Sequence, residues 1–146
     1  MGVLDDMMSN QKGGAFNQNE AFAAVAVVAA VADGVVSNEE VVSLQSSLLR
    51  MQLFRGWDEQ QFSEMFNKLA DILQAQGMDA LLSAAVKTLA KELHETVFVL
   101  ASDLILADGS IAVEEKDFLH NLQDLLGIND MLAKKIVEVM LIKNRG

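Results

Sequence analysis

The chain has 146 residues, about one domain's worth, and 51% of them are apolar while aromatics make up only 5%, so any core is built from small aliphatic side chains that suit closely packed helices. Cysteine and proline are both absent, which excludes a disulfide scaffold, a zinc-thiolate site and a cysteine nucleophile. A formal charge of -10 argues against binding to nucleic acid, because phosphate recognition needs clustered lysine and arginine.

Taken in chain order, residues 1–16 mix methionine with Gly-Gly and polar residues and show no sustained period. They read as an N-terminal tail that docks through Phe16. Asp5 and Asp6 stand where a secretory signal would be basic. Ala21 to Ala32 is apolar on every face, the pattern of a helix surrounded by others. At about 18 Å it is too short to span a hydrocarbon layer of roughly 30 Å. Asp33-Gly34 stops it, and Ser37 with Glu40 three residues later begins the next helix as a capping box. Val41, Leu44, Leu48 and Met51 form that helix's apolar stripe. After Gly56, Asp58 and Gln61 start a third helix, in which Phe62, Met65, Phe66, Leu69 and Leu73 recur at three-and-four spacing. Gly77 ends it. A fourth runs from about Asp79 to Leu93, striped by Leu82, Ala85, Val86 and Leu89.

The chain then repeats. Ala107-Asp108-Gly109-Ser110-Ile111-Ala112-Val113-Glu114-Glu115 lies 75 residues after Ala32-Asp33-Gly34-Val35-Val36-Ser37-Asn38-Glu39-Glu40, keeping Ala, Asp, Gly, an aliphatic and two Glu in register. Val97 to Ala107 takes the place of Ala21 to Ala32. Phe118, Leu119, Leu122 and Leu126 stripe the helix that follows, and Gly127-Ile128-Asn129 answers Gly56-Trp57-Asp58. A last helix carries Leu132, Ile136, Val139 and Met140. The expected fold is all-α, a compact bundle of about seven helices with two repeated helix-turn-helix units at about 20–56 and 95–127. Approximate two-fold symmetry is expected to relate them.

Each repeat reads Asp-Gly-x-aliphatic-x-x-x-Glu, which matches the second half of an EF-hand loop: an oxygen ligand, glycine, a carbonyl and a final Glu. The first half is missing, since Ala29 and Val31, or Leu104 and Leu106, fall where the earlier ligands belong. An ordinary EF-hand is therefore ruled out. Three carboxylates per copy are too few for the six to eight oxygens that a calcium ion takes. If the symmetry brings the turns together, Asp33, Glu39, Glu40, Asp108, Glu114 and Glu115 pool six carboxylates around a divalent cation.

A plainer account of the same residues stands beside it. Acids in a first helical turn gain about 0.3–1 kcal/mol each from the helix dipole, and Glu40 is explained by the cap with Ser37. In the second copy Ala112 replaces that serine and cannot cap by side chain. The charge distribution favours neither account outright but localises the question. Residues 13–49 hold four acids and no base, and residues 93–133 hold eight acids against Lys116, leaving the remainder near neutral.

The other candidates are weaker. His94 and His120 read as surface histidines, and Trp57 as a core anchor at a helix start. Asp103 either marks the polar edge of its helix or reaches the acidic turns. No phosphate loop, Ser-His-Asp order or nucleophile elbow occurs, so nothing argues for an enzyme.

The doubled unit, AVADGVVSNEE with LILADGSIAVEE, resembles the TerB family of bacterial tellurite-resistance proteins, whose helical domain is also similar to the N-terminal part of a membrane-anchored DnaJ-type co-chaperone. The resemblance covers about residues 17–143 and makes 17–146 one helical domain. It implies a non-catalytic, cytoplasmic stress-response protein that works with protein partners and reaches a membrane only peripherally, through them. It also implies metal binding by Asp33, Glu39, Glu40, Asp108, Glu114 and Glu115, with calcium or magnesium suited to those oxygen donors. The alternative is a metal-free interaction module whose acidic face docks a basic partner.

Overall fold

The computed structural model describes residues 16–32 and 38–145. Among them are seven α-helices: α1 (Gln18–Ala30), α2 (Asn38–Leu49), α3 (Glu59–Gln76), α4 (Met78–Thr88), α5 (His94–Ile105), α6 (Val113–Leu126) and α7 (Asp130–Lys143). Short 3-10 turns at Gln52–Phe54 and Lys91–Leu93 join α2 to α3 and α4 to α5. The expected all-α bundle is what forms. The proposed tail up to residue 15, the Asp33-Gly34 turn and the Ser37 cap lie outside the described residues.

The bundle is organised around α1. Its residues Ala21, Phe22, Ala23, Ala24, Val25 and Ala26 are all fully buried, because four other helices surround it. It packs most extensively on α4 and α5, and also on α2 and α3. Small side chains make this possible, since alanine lets a neighbouring backbone approach closely where leucine would hold it away. Its N-terminus is fixed from several sides. Asn17 and Glu20 form a reciprocal capping box, and Glu20 also pairs with Lys68 of α3 at 2.9 Å. Gln18 accepts from Ala90 N–H at 2.7 Å and donates to Thr88 O at 2.8 Å, which ties the start of α1 to the end of α4. Phe16 is buried, 7% exposed, as expected for a docked residue.

α5 is the second hub and packs on α1, α6 and α7. Val97, Phe98, Ala101 and Ile105 turn inward. A separate aromatic group closes the other end of the core. Phe54 and Trp57 meet edge to face at 5.0 Å, and Phe62 stacks on Phe54 at 5.5 Å. Trp57 thus packs the start of α3, where Asp58 and Gln61 form the expected capping box. Gly77, with φ of +92°, serves as both the end of α3 and the start of α4, a backbone conformation that other residues rarely adopt.

Several boundaries differ from the sequence expectation. α1 ends at Ala30 rather than Ala32, and α4 at Thr88 rather than Leu93. In the second case Leu89 leaves the helix in an extended conformation yet stays buried, so an apolar stripe continued beyond the helix that carried it. α5 starts at His94, three residues before Val97. Val41 and Val139, placed on buried stripes, are 38% and 53% exposed. α1 and α5 end 75 residues apart, and α2 and α6 begin 75 residues apart.

Candidate functional site

The second acidic turn is built locally. α5 ends at Ile105 and the chain reverses through Gly109, whose φ of +82° is accessible to glycine at little cost. Asp108 Oδ1 accepts from the backbone N–H of Ser110 at 3.0 Å and from its hydroxyl at 3.1 Å, which holds the turn closed. α6 then starts without a side-chain cap, since Ala112 offers no oxygen. Glu115 supplies the half of the capping box that remains, its Oε1 accepting from Ala112 N–H at 2.9 Å. One oxygen of Glu115 thus serves to cap the start of α6.

The same residues line a cavity of about 250 Å³. Ala29 and Ala30 reach it from the end of α1, and Leu104 and Ile105 from the end of α5. Glu40 and Ser43 enter from the start of α2, Glu115 from the start of α6, and Ala107 and Asp108 from the turn between α5 and α6. Most of this wall pairs at the repeat offset: Ala29 with Leu104, Ala30 with Ile105, and Glu40 with Glu115. Two helix C-termini and two helix N-termini thus converge on one space. Among the described residues, three carboxylates face it and no base does. Glu40 and Glu115 are half-buried, while Asp108 is exposed.

The sequence-proposed residues divide accordingly. Glu40, Asp108 and Glu115 come together at the cavity. Glu39 and Glu114 are exposed and stand outside its wall. Asp33, the offset counterpart of Asp108, lies outside the described residues. The donor chemistry fits a hard cation, which takes carboxylate oxygens and water: Oε2 of Glu115 and Oδ2 of Asp108 are not used by the bonds that hold the turn. Among the described residues, however, no three histidine or acidic side chains already stand close enough together to hold a metal ion. The carboxylates share a space without being assembled as a ligand set.

Asp103 does not reach this cavity. It accepts from Lys143 Nζ at 3.2 Å and Asn144 Nδ2 at 2.9 Å, pinning the end of α7 to α5. His94 is half-buried rather than a surface residue. Its Nδ1 lies 3.1 Å from Leu126 O and its Nε2 lies 3.1 Å from Leu89 O, so it bridges the ends of α4 and α6. Ser43 on the cavity wall was not anticipated, since its offset partner is Phe118 and no repeat signal marks it.

No protein-family model matches the chain, and no curated protein or solved structure matches it.

Proposed function

We propose that the chain is a non-catalytic, TerB-like stress-response module that holds a divalent cation, calcium or magnesium, between its two acidic turns. The observation that carries this reading is the convergence of Glu40 and Glu115, which stand at the same place in the repeated motif, on one cavity with Asp108. Carboxylate oxygens drawn from distant parts of a chain into one space are the donors that a hard cation takes, and half-burial of two of these groups weakens screening by solvent. Asp33 is the carboxylate that the repeat offset would add. In this role the site links two helix pairs, α1–α2 and α5–α6, whose relative placement then depends on the cation. Protein partners in a cytoplasmic stress-response complex would read that placement.

A divalent ion that binds only the folded chain raises stability by about 1.4 kcal/mol at ten times its Kd, which is on the order of 4 °C in Tm for this size. Calcium or magnesium should exceed the shift given by NaCl at matched ionic strength. The double variant Glu40→Gln with Glu115→Gln keeps the shape of both side chains, including the oxygen that caps α6, and should abolish the excess. Equal shifts from NaCl and from calcium, magnesium, manganese and zinc would reject the site.

A second reading rests on the carboxylates not being assembled as a ligand set: the acidic face, with Glu39 and Glu114 exposed beside it, docks a basic protein partner without metal. Such binding weakens steeply with salt and is indifferent to the identity of the divalent ion.

A further inference from the structure

A cleft separate from the acidic cavity has the opposite charge. It has a volume of about 500 Å³, within the range of small-molecule sites. Its floor is apolar: Phe98 of α5, Leu119 of α6 and Ala133 of α7 are each no more than 5% exposed. Val137 and Ile111 extend this surface toward solvent. Lys116 and His120 from α6 and Lys134 from α7 also line the cleft, and all three are exposed. One acid, Asp130, lines it too, but its Oδ1 is taken by Gln123 Nε2 at 2.6 Å, and Gln123 is itself 8% exposed.

This placement reverses the local charge pattern. Residues 93–133 contain eight acids and a single base, and that base, Lys116, is on the cleft. Lys134, the first base after that stretch, faces it from the neighbouring helix. Two ammonium groups at the rim of an apolar floor, in a chain of net charge -10, match a ligand with an anionic head and an aliphatic body. A liquid-density group of water's size occupies ~30 Å³, so the cleft of about 500 Å³ has room for at most about seventeen such groups, and a ten-carbon chain fits with space left for a hydrated head. We propose that the cleft between α6 and α7 binds a free medium-chain aliphatic carboxylate, its tail on Phe98, Leu119, Ala133 and Val137 and its carboxylate between Lys116 and Lys134. This site is independent of the cation reading, shares no residue with the acidic cavity, and stands if that reading fails.

Titration of the full chain with decanoate below its micelle concentration, followed by calorimetry and by methyl NMR, tests the proposal. Decanoate should bind one to one and shift the methyl signals of Leu119, Ala133 and Val137. Decanol should bind more weakly by about tenfold, and the double variant Lys116→Gln with Lys134→Gln should lose a similar factor for decanoate while leaving decanol unchanged. Both lysines are exposed, so this variant retains the fold. Ala133→Phe, which fills the floor, should abolish binding of both ligands. Equal affinity for decanoate and decanol, or an unchanged double variant, would remove the carboxylate from the proposal. Shifts outside the cleft, binding to anionic vesicles but not to decanoate, or no binding below millimolar concentration would each overturn it.

Discussion

Gly109 shows how one residue sets the second acidic turn. Its φ of +82° is costly for any side chain, and a Cβ built there would stand 3.2 Å from the backbone oxygen of Asn144, just past the end of α7. Gly109→Ala should therefore cost about 1–3 kcal/mol, read as a lower midpoint in chemical denaturation, and should disturb the Asp103 contacts with Lys143 and Asn144. A neutral effect would mean that the turn is not held as described. Ser102 makes the reverse case. Its hydroxyl is fully buried in α5 and finds no hydrogen-bond partner among the described residues, so its desolvation is uncompensated. Ser102→Ala should leave stability unchanged or raise it by up to about 1 kcal/mol, measured by the same midpoint. A clear loss would imply a partner that the present contacts do not include.

At the scale of elements, the helices were legible in the sequence and their ends less so. The Asp58–Gln61 box, the stop at Gly77 and the stripe of Phe62, Met65 and Leu69 depend on local chemistry, and each forms as expected. Asn17 with Glu20 carries the same N-terminal signal but sits before an apolar run without period, which hid it. Leu89 misled because burial outlasts the helix: tertiary packing keeps it inside after the backbone has turned. The partners of His94, Leu89 O and Leu126 O, are backbone atoms that no side-chain pattern announces, so its half-buried place is not legible in the sequence. Of the site, the doubled Asp-Gly motif pointed to Glu40, Asp108 and Glu115, whereas the exclusion of Glu39 and Glu114 depends on helix rotation that adjacent positions cannot reveal. The cleft was invisible for a similar reason, because Lys116 and Lys134 are brought together only by the packing of α6 and α7 on α5. Burial also ranks the elements. α1 is enclosed by α2, α3, α4 and α5, so its amides should be the slowest in the chain to exchange with solvent. Faster exchange there than in α3 or α7, whose outer faces are exposed, would contradict its central place.

For the whole molecule, the segregation of charge is the feature that joins fold to function. Net negative charge is concentrated in two stretches that contain the motifs related by the 75-residue offset, and the bundle brings the start of α2 and the start of α6 to one cavity while sending Lys116 to another. No helix among the described residues is long and apolar enough to cross a membrane. Paramagnetic broadening by manganese tests most directly the proposal that a single divalent cation is shared by the two acidic turns. At less than one equivalent, Mn²⁺ should broaden the amide signals of Glu40 and Ser43 together with those of Asp108 and Glu115, and excess calcium or magnesium should restore them. Broadening confined to one turn, or spread over exposed acids such as Glu39, Glu114, Asp117 and Asp124 without preference, would contradict the shared site.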